Sequence, residues 1–377
     1  MRTLTQVDIT SLRVLLRVDY NVPMDKNRNI LDDFKIKNSL PTLKYILKRA
    51  KQVIIMSHLG RPDGKVVKEL RMDKVAVRLM KFVGRNVAKL DDCVDVVIPN
   101  EKVVLLENLR FHKEEKENNE SFAKKLASHA DVFVNDAFGV SHREHASVVG
   151  VAKFLPSCAG LLVQKEVENL NFSKAKSPLV VIMAGSKLST KFPIINALLP
   201  KVDRLLLGGA MIFTFYKALG FEIGNSLCED NHLVTAKLLL NNEKIILPRD
   251  VVVASDINEN AKSKIVDSNK IPKKWVGVDV GEETINDFKK ELKNAKTVFW
   301  NGPLGIYEIE KFAKATNELA EILSKLKAKV IIGGGDIVAA IDKLGMKDKF
   351  DFVSTGGGAS LELIQKGTLP GLEVLKN

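Results

Sequence analysis

At 377 residues the chain is longer than one hydrophobic core usually supports, so two domains are expected. Its 45% apolar and 28% charged residues describe a globular protein, and no apolar run nears the roughly 20 residues of a helical membrane span. The net charge of +12 divides into 28 Lys and Arg against 20 Asp and Glu in residues 1–155 and the remaining +4 beyond them; with no basic run or nucleic-acid motif, small anions are the expected partners and nucleic acid is not.

Along the first half, the runs RVLLRVDY, KQVIIMSH, KVVLLENL and DVFVNDAF alternate with helical-period segments such as SLPTLKYILKRA. Strand-helix alternation of this kind predicts a parallel sheet. The break between halves is expected near PSCAGLLVQKEVENLNFSKAKSP, where a helical stretch runs into a polar loop. In the second half the runs are PLVVIMAG, DRLLLGGA, TVFWNGP, KVIIGGGD and FDFVSTGGG, most of them ending in glycine and expected to pass at once into a helix. The start, MRTLTQVDIT, lacks the apolar core of a signal peptide. Cys93, Cys158 and Cys228 are widely spaced, which offers neither a disulfide framework nor a CxxC metal site and suits a reducing cytosol.

Glycine-rich strand ends form one rim in the second half, where an open parallel sheet can receive phosphate on backbone amides and helix N-termini. The common nucleotide motifs are nevertheless missing. Ser186 stands where a Walker A loop needs glycine before its lysine, and no GxGxxG follows the first strand. In AGSKLSTK, Lys187 and Lys191 lie four apart; on one helix face they would repel by about a few tenths of a kcal/mol, as a solvated pair or as two hands on a shared polyanion.

The first half places basic groups at its strand ends, namely His58 and Arg61 in SHLGRPDG, Arg110 in ENLRFHKEE and Arg143 in DAFGVSHREHAS. Arginine forks suit carboxylate and phosphate oxygens, and Asp19 and Asn21 in RVDYNVP suit hydroxyls. His142 and His145 lack the HExxH order of a zinc site.

RVDYNVP, SHLGRPDG, ENLRFHKEE, DAFGVSHREHAS, AGSKLSTK, GGAMIFTF, WNGPLGIYE, IIGGGDIVAA and STGGGASLELI come in the order found in phosphoglycerate kinases and span almost the whole chain, which therefore resembles that family. The resemblance implies an α/β fold of two doubly wound parallel-sheet domains joined by a hinge helix. It implies a triose-phosphate domain over 1–155, the hinge helix over 156–172, a nucleotide domain over 173–359, and a tail, 360–377, returning to the first domain. The implied reaction is reversible phosphoryl transfer from 1,3-bisphosphoglycerate to ADP, giving 3-phosphoglycerate and ATP, with Mg2+, in a cytoplasmic monomer that needs neither nucleic acid nor membrane. Carried over residue by residue, the triose side is Asp19, Asn21, Lys35, His58, Arg61, Arg110 and Arg143. The nucleotide side is Lys191, Gly208, Gly209, Gly277, Asn301, Pro303, Glu308, Gly334, Gly335, Asp336 and Ile337, with Asp336 as the magnesium ligand; Lys187, Lys191 and Lys35 carry the catalytic charge. Departures from the family pattern are Lys35 in place of an arginine, Ile337 in place of a threonine, Ala184, Ser186 and Thr190 around the lysine pair, and Glu282 and Glu283 after VGVDVG. Two alternatives remain: a Rossmann oxidoreductase using NAD, and an inactive anion-binding relative of the kinase.

Overall fold

The computed structural model describes residues 1–376. It divides into two compact units, residues 1–168 together with those from 367 onward, and residues 169–366.

In the first unit the elements run β1 (Arg13–Arg17), α1 (Phe34–Leu47), β2 (Gln52–Met56), α2 (Asp73–Val83), β3 (Ala88–Lys89), β4 (Val103–Leu105), α3 (Glu120–Ala127), β5 (Val132–Asn135) and β6 (Ser157–Ala159), followed by α4 (Leu161–Leu170). The six strands form one sheet in the order β3-β4-β2-β1-β5-β6, and every pairing is parallel. Alternate residues of β1 feed opposite faces, as the two-residue period of a strand requires. Val14 and Leu16 join Ile36, Leu43 and Leu79 in one apolar cluster, whereas Leu15 joins Ile54, Phe122 and Phe133 in the other. Burial on both faces explains why these strands read as unbroken apolar runs.

The second unit begins β7 (Leu179–Ala184), α5 (Leu188–Leu198), β8 (Arg204–Gly208), α6 (Ile212–Ala218), α7 (Leu233–Leu239) and β9 (Ile245–Ile246). Then follow β10 (Asp250–Ala254), β11 (Ser263–Asp267), β12 (Val276–Val280) and α8 (Glu282–Leu292). It ends with β13 (Thr297–Asn301), α9 (Lys314–Ser324), β14 (Lys329–Ile332), α10 (Gly335–Lys343), β15 (Phe352–Val353) and α11 (Gly358–Lys366). A parallel six-stranded sheet has the order β15-β14-β13-β7-β8-β9, and β11-β10-β12 form a separate antiparallel sheet. That second sheet has no counterpart among the strands read from the sequence. β11 is largely exposed and polar, so it lacks the apolar run that marked the others.

Both strand orders contain a switch point, between β1 and β5 in one unit and between β7 and β13 in the other. Ligands of open α/β sheets bind outside the carboxyl ends of the strands at such points. Three expectations change in detail. Residues 157–159 form β6, so the helix expected over 156–172 covers Leu161–Leu170, and the boundary between units falls inside it. The segment returning to the first unit starts at 367 and carries the short helix α12 (Pro370–Glu373), while α11 packs on α5 within the second unit. Finally, β13 does not pass at once into a helix: residues 302–313 intervene before α9, and they build one wall of a cavity.

Candidate functional site

At the carboxyl end of β1, Arg17 is fully buried and Asp19 follows it at the mouth. Arg17 donates to Ser147 Oγ (2.9 Å), to the Val18 carbonyl and to His58 Nδ1 (3.2 Å). A guanidinium has no acceptor, so His58 Nδ1 must accept, which leaves the ring neutral with its proton on Nε2. Burial pushes the His58 pKa well below its ordinary value, and the charges of Arg17, Arg110 and Lys35 act in the same direction against the pull of Asp19. Lys35, in the first turn of α1, donates to Asp19 Oδ2 at 2.8 Å. Burial would raise the Asp19 carboxyl, but the charge and hydrogen bond of Lys35, with the charge of Arg17, hold it down at about 2. Asn21 accepts from the Gly60 amide (2.9 Å), tying this loop to SHLGRPDG.

Arg110 is placed by Asn108, whose buried amide accepts from the Leu59 and Arg110 amides (both 3.1 Å) and donates to the Leu59 (2.7 Å) and Leu70 (2.9 Å) carbonyls. The guanidinium donates to the Gly60 carbonyl (2.9 Å), while its buried Nε has no acceptor among the described residues. Burial lowers its pKa, and the charges of Arg61 and Arg143 lower it further. Arg61 and Arg143 themselves are exposed. The first unit thus gathers Asp19, Asn21, Lys35, His58 and Arg110 through direct contacts, with Arg61 and Arg143 in electrostatic reach of Arg110. An unsatisfied buried donor beside several cations is a surface for a multiply charged oxyanion.

Beneath it lies a network that the sequence reading missed. Glu115 is fully buried, 3.9 Å from Arg17 and 3.6 Å from His145 Nδ1, and accepts from the Ser147 amide (2.9 Å) and hydroxyl (2.6 Å). Burial would raise its pKa, yet His145, Arg17 and Ser147 hold it at about 2. The available signal was an arginine inside an apolar strand, which calls for a buried partner somewhere. A depressed carboxylate adds stability above its unfolded pKa near 4.3, and that contribution is lost as pH falls toward about 2. Glu115→Gln is therefore expected to cost about 3 kcal/mol at pH 7, read from the urea unfolding midpoint, because Arg17 is left without its counter-charge. The difference from the parent should shrink between about pH 4 and pH 2 as the parent's own carboxylate protonates. A gap that stays constant over that range would remove Glu115 from the role.

In the second unit a cavity of about 380 Å³ lies at the carboxyl ends of β7, β8 and β13, walled by β12 and residues 303–308. Phe213, Val278 and Ile306 give it an apolar slot, with Asp279, Glu308 and Asp336 also on its lining. Gly277 has to be glycine here: a Cβ would come within 1.8 Å of the Phe213 ring. Gly209, at φ +69°, lets the chain pass Gly185, whose amide would lie 2.5 Å from a Cβ. Asp279 is buried and accepts from Ala315 in the first turn of α9 (3.0 Å), and burial raises its pKa to about 7. Sequence reading did not single it out; an acid inside the strand VGVDV was the clue.

Lys191 projects from α5 across Gly185, where a Cβ would meet its Cε at 2.8 Å. Its Nζ donates to Asn301 Oδ1 at 2.5 Å, and the Asn301 amide nitrogen donates in turn to the Gly333 carbonyl. Burial lowers the Lys191 pKa while Asp336 opposes the shift. Both polar atoms of Asn301 are thus engaged in holding Lys191 and the end of β14. Gly208 ends β8 behind the cavity, packed on Leu304; Gly209, Gly277, Pro303, Glu308 and Asp336 line it. Gly334 is the N-cap of α10 and Gly335 its first residue, with no side-chain cap competing for the amides. At α5, by contrast, Glu229 already accepts from the Ser189 amide (2.9 Å). Ile337 is fully buried in the core and not on the lining. Glu282 and Glu283 pair with Lys314 (2.6 Å) and Arg249 (3.3 Å), also off it.

One expectation about the lysine pair needs correction. Lys187 is the N-cap of α5, in extended conformation (φ −129°, ψ 129°), and is exposed. Since the helix starts only at Leu188, the two lysines do not share a helical face, and the repulsion expected of such a pair does not arise.

The family model described as phosphoglycerate kinase matches residues 4–367. A phosphoglycerate kinase of Dictyoglomus turgidum is 47% identical over 385 residues, covering 98% of this chain and 97% of the relative. The cytosolic phosphoglycerate kinase of Triticum aestivum is 47% identical over 391 residues, covering 99% and 97%. The solved phosphoglycerate kinase structure from Coxiella burnetii superposes with a TM-score of 0.89 at 39% identity, over 99% of this chain and 98% of that one. These matches set aside the dinucleotide oxidoreductase alternative, and on them, over the two doubly wound units and their strand-end sites, the chain belongs to the phosphoglycerate kinase family.

Proposed function

We propose that the chain transfers the acyl phosphate of 1,3-bisphosphoglycerate to ADP, reversibly, giving 3-phosphoglycerate and ATP. The bond from phosphorus to the acyl oxygen breaks and one to a β-phosphate oxygen of ADP forms, so a carboxylate leaves and no proton has to move. The observation that carries this reading is the cavity of the second unit, whose apolar slot ends at the glycine turns of Gly185 and Gly209 beside a partly desolvated lysine. The slot takes the base, Glu308 receives ribose hydroxyls, and the uncapped start of α10 with Gly209 faces the phosphates. Lys191, held by Asn301, aims charge at the transferring group, and the exposed Lys187 adds a mobile one. On the first unit, Arg61, Arg110 and Arg143 hold the triose phosphate, Asp19 and Asn21 its hydroxyl, and His58 donates from Nε2.

Asp336 fits a magnesium ligand: its carboxylate lies on the cavity lining, and no hydrogen bond or ion pair engages it among the described residues. Bound there with the nucleotide, Mg2+ would offset phosphate charge. Asp336→Ala is expected to weaken Mg2+-ADP by about tenfold or more while metal-free ADP changes little, measured by calorimetry with and without the ion. A carboxylate that merely caps α10 would change both alike.

ATP formation in a coupled assay tests the whole reading. Turnover that depends on both 1,3-bisphosphoglycerate and ADP supports it; tight binding of both without turnover would identify the inactive relative instead. Among the described residues no helix is long and apolar enough to cross a membrane. The reading expects a cytoplasmic monomer, which light scattering checks.

A further inference from the structure

Away from both sites, the loop between β3 and β4 brings Asp92 and Cys93 beside His112, which follows the turn Leu109–Phe111; one donor atom from each lies within 4.8 Å of the other two. Of the three acids in DDCVD, Asp91 pairs with Arg71 (3.3 Å) and Asp95 with Lys125 (2.5 Å), whereas Asp92 meets His112 Nε2 at 2.7 Å. The cluster is held from outside. His129 Nε2 bonds the Cys93 carbonyl (3.0 Å), the Cys93 amide donates to Asp92 (2.6 Å), and the Phe122 ring packs on His112 with centroids 5.3 Å apart. Asp92 and His112 are partly exposed and give an ion its entry, while the Cys93 sulfur lies buried beneath them.

We propose that Asp92, Cys93 and His112 bind one divalent transition-metal ion of the zinc class, with solvent as its remaining ligand. Thiolate, imidazole and carboxylate together favour such ions over magnesium or calcium, which take oxygen donors. Metal–ligand bonds of about 2.0–2.3 Å set donors roughly 3.5 Å apart, against 2.7 Å between Asp92 and His112 and no more than 4.8 Å for any pair of donors, so shifts of about 1 Å bring all three onto one ion. The Asp92–His112 hydrogen bond is exchanged for two bonds to the ion. A cysteine thiol with its ordinary pKa of about 8.5 carries its proton at neutral pH. The ion displaces that proton to solvent and takes its place on sulfur, releasing at least one proton per ion bound.

Titrating the full chain with Co2+, without nucleotide or magnesium, tests the site. One equivalent is expected to produce an intense near-ultraviolet thiolate-to-cobalt band, bleached by one equivalent of Zn2+, with proton release visible as buffer-dependent binding heat. Oxygen ligation at Asp336 gives no such band. Cys93→Ser should abolish the band and Cys228→Ser should leave it. His112→Gln, at a partly exposed position outside the catalytic machinery, should keep ATP formation and weaken Co2+ by tenfold or more. No band in the parent, a band that survives in folded Cys93→Ser, or one lost in Cys228→Ser overturns the proposal. Should Cys93→Ser fail to fold, unchanged Co2+ affinity in His112→Gln overturns it equally.

Discussion

Lys191→Ala is expected to lower kcat by about a hundredfold or more, near 2.7 kcal/mol, while the ADP dissociation constant moves less than about fivefold. The reason lies in how the ammonium is held. Its stem crosses Gly185, its Nζ is fixed at 2.5 Å from Asn301, and Asn301 is anchored to the Gly333 carbonyl, so the charge is aimed before substrate arrives. Burial has already removed part of its hydration, as the lowered pKa records. A preorganised, poorly hydrated cation gains most where new negative charge develops, in the transition state, and less from a ground state whose charge is already spread. Initial rates together with calorimetry separate the two. Equal losses in turnover and ADP affinity would reduce Lys191 to an ordinary binding group.

The second large effect concerns Lys35, where the family pattern has an arginine. The ammonium is bound to Asp19 at 2.8 Å and is the first charge that holds that carboxylate at about 2. Removing it leaves the Asp19 carboxylate without its nearest counter-charge and, on the proposed reaction, takes away a charge meant for the acyl phosphate. Lys35→Ala is therefore expected to reduce kcat/KM by about a hundredfold or more. Lys35→Arg keeps the charge and adds a planar fork able to hold Asp19 and an incoming oxygen together, which is expected to raise kcat/KM by up to about tenfold, near 1.4 kcal/mol. Arg28, the nearest arginine in sequence, is already paired with Glu69 at 2.8 Å, and Lys37 with Asp33 at 2.9 Å. Near-parental kcat/KM in Lys35→Ala would show that the transition-state charge comes from elsewhere.

Much of the site was legible because its chemistry is written locally. Glycines at strand ends mark turns whatever surrounds them, and Arg61, Arg110 and Arg143 stand in short motifs that fix their place relative to a strand. What was not legible depends on partners far along the chain. Arg17 and Glu115 are 98 residues apart, and nothing in RVLLRVDY or RFHKEEK says that they meet in the core. The same holds for Asn301, whose side chain grips Lys191 110 residues away. Lys187 illustrates the converse error: four-residue spacing implies a shared face only within a helix, and the helix begins one residue later.

By itself the sequence determined the two parallel sheets and the residue types gathered at their ends, because burial of a strand on both faces demands an unbroken apolar run, and tight turns demand glycine wherever the fold places them. Only the tertiary structure decided that β10, β11 and β12 form their own sheet, that Ile337 turns inward, that His58 is neutral with its proton on Nε2, and which acids are charged. Asp19 and Asp279 are the same residue type with pKa values of about 2 and about 7. One lies against the charges of Lys35 and Arg17; the other is buried with backbone amides from α9 and its own strand as its main partners, and a protonation state is set by the charges and solvent that the fold brings to it.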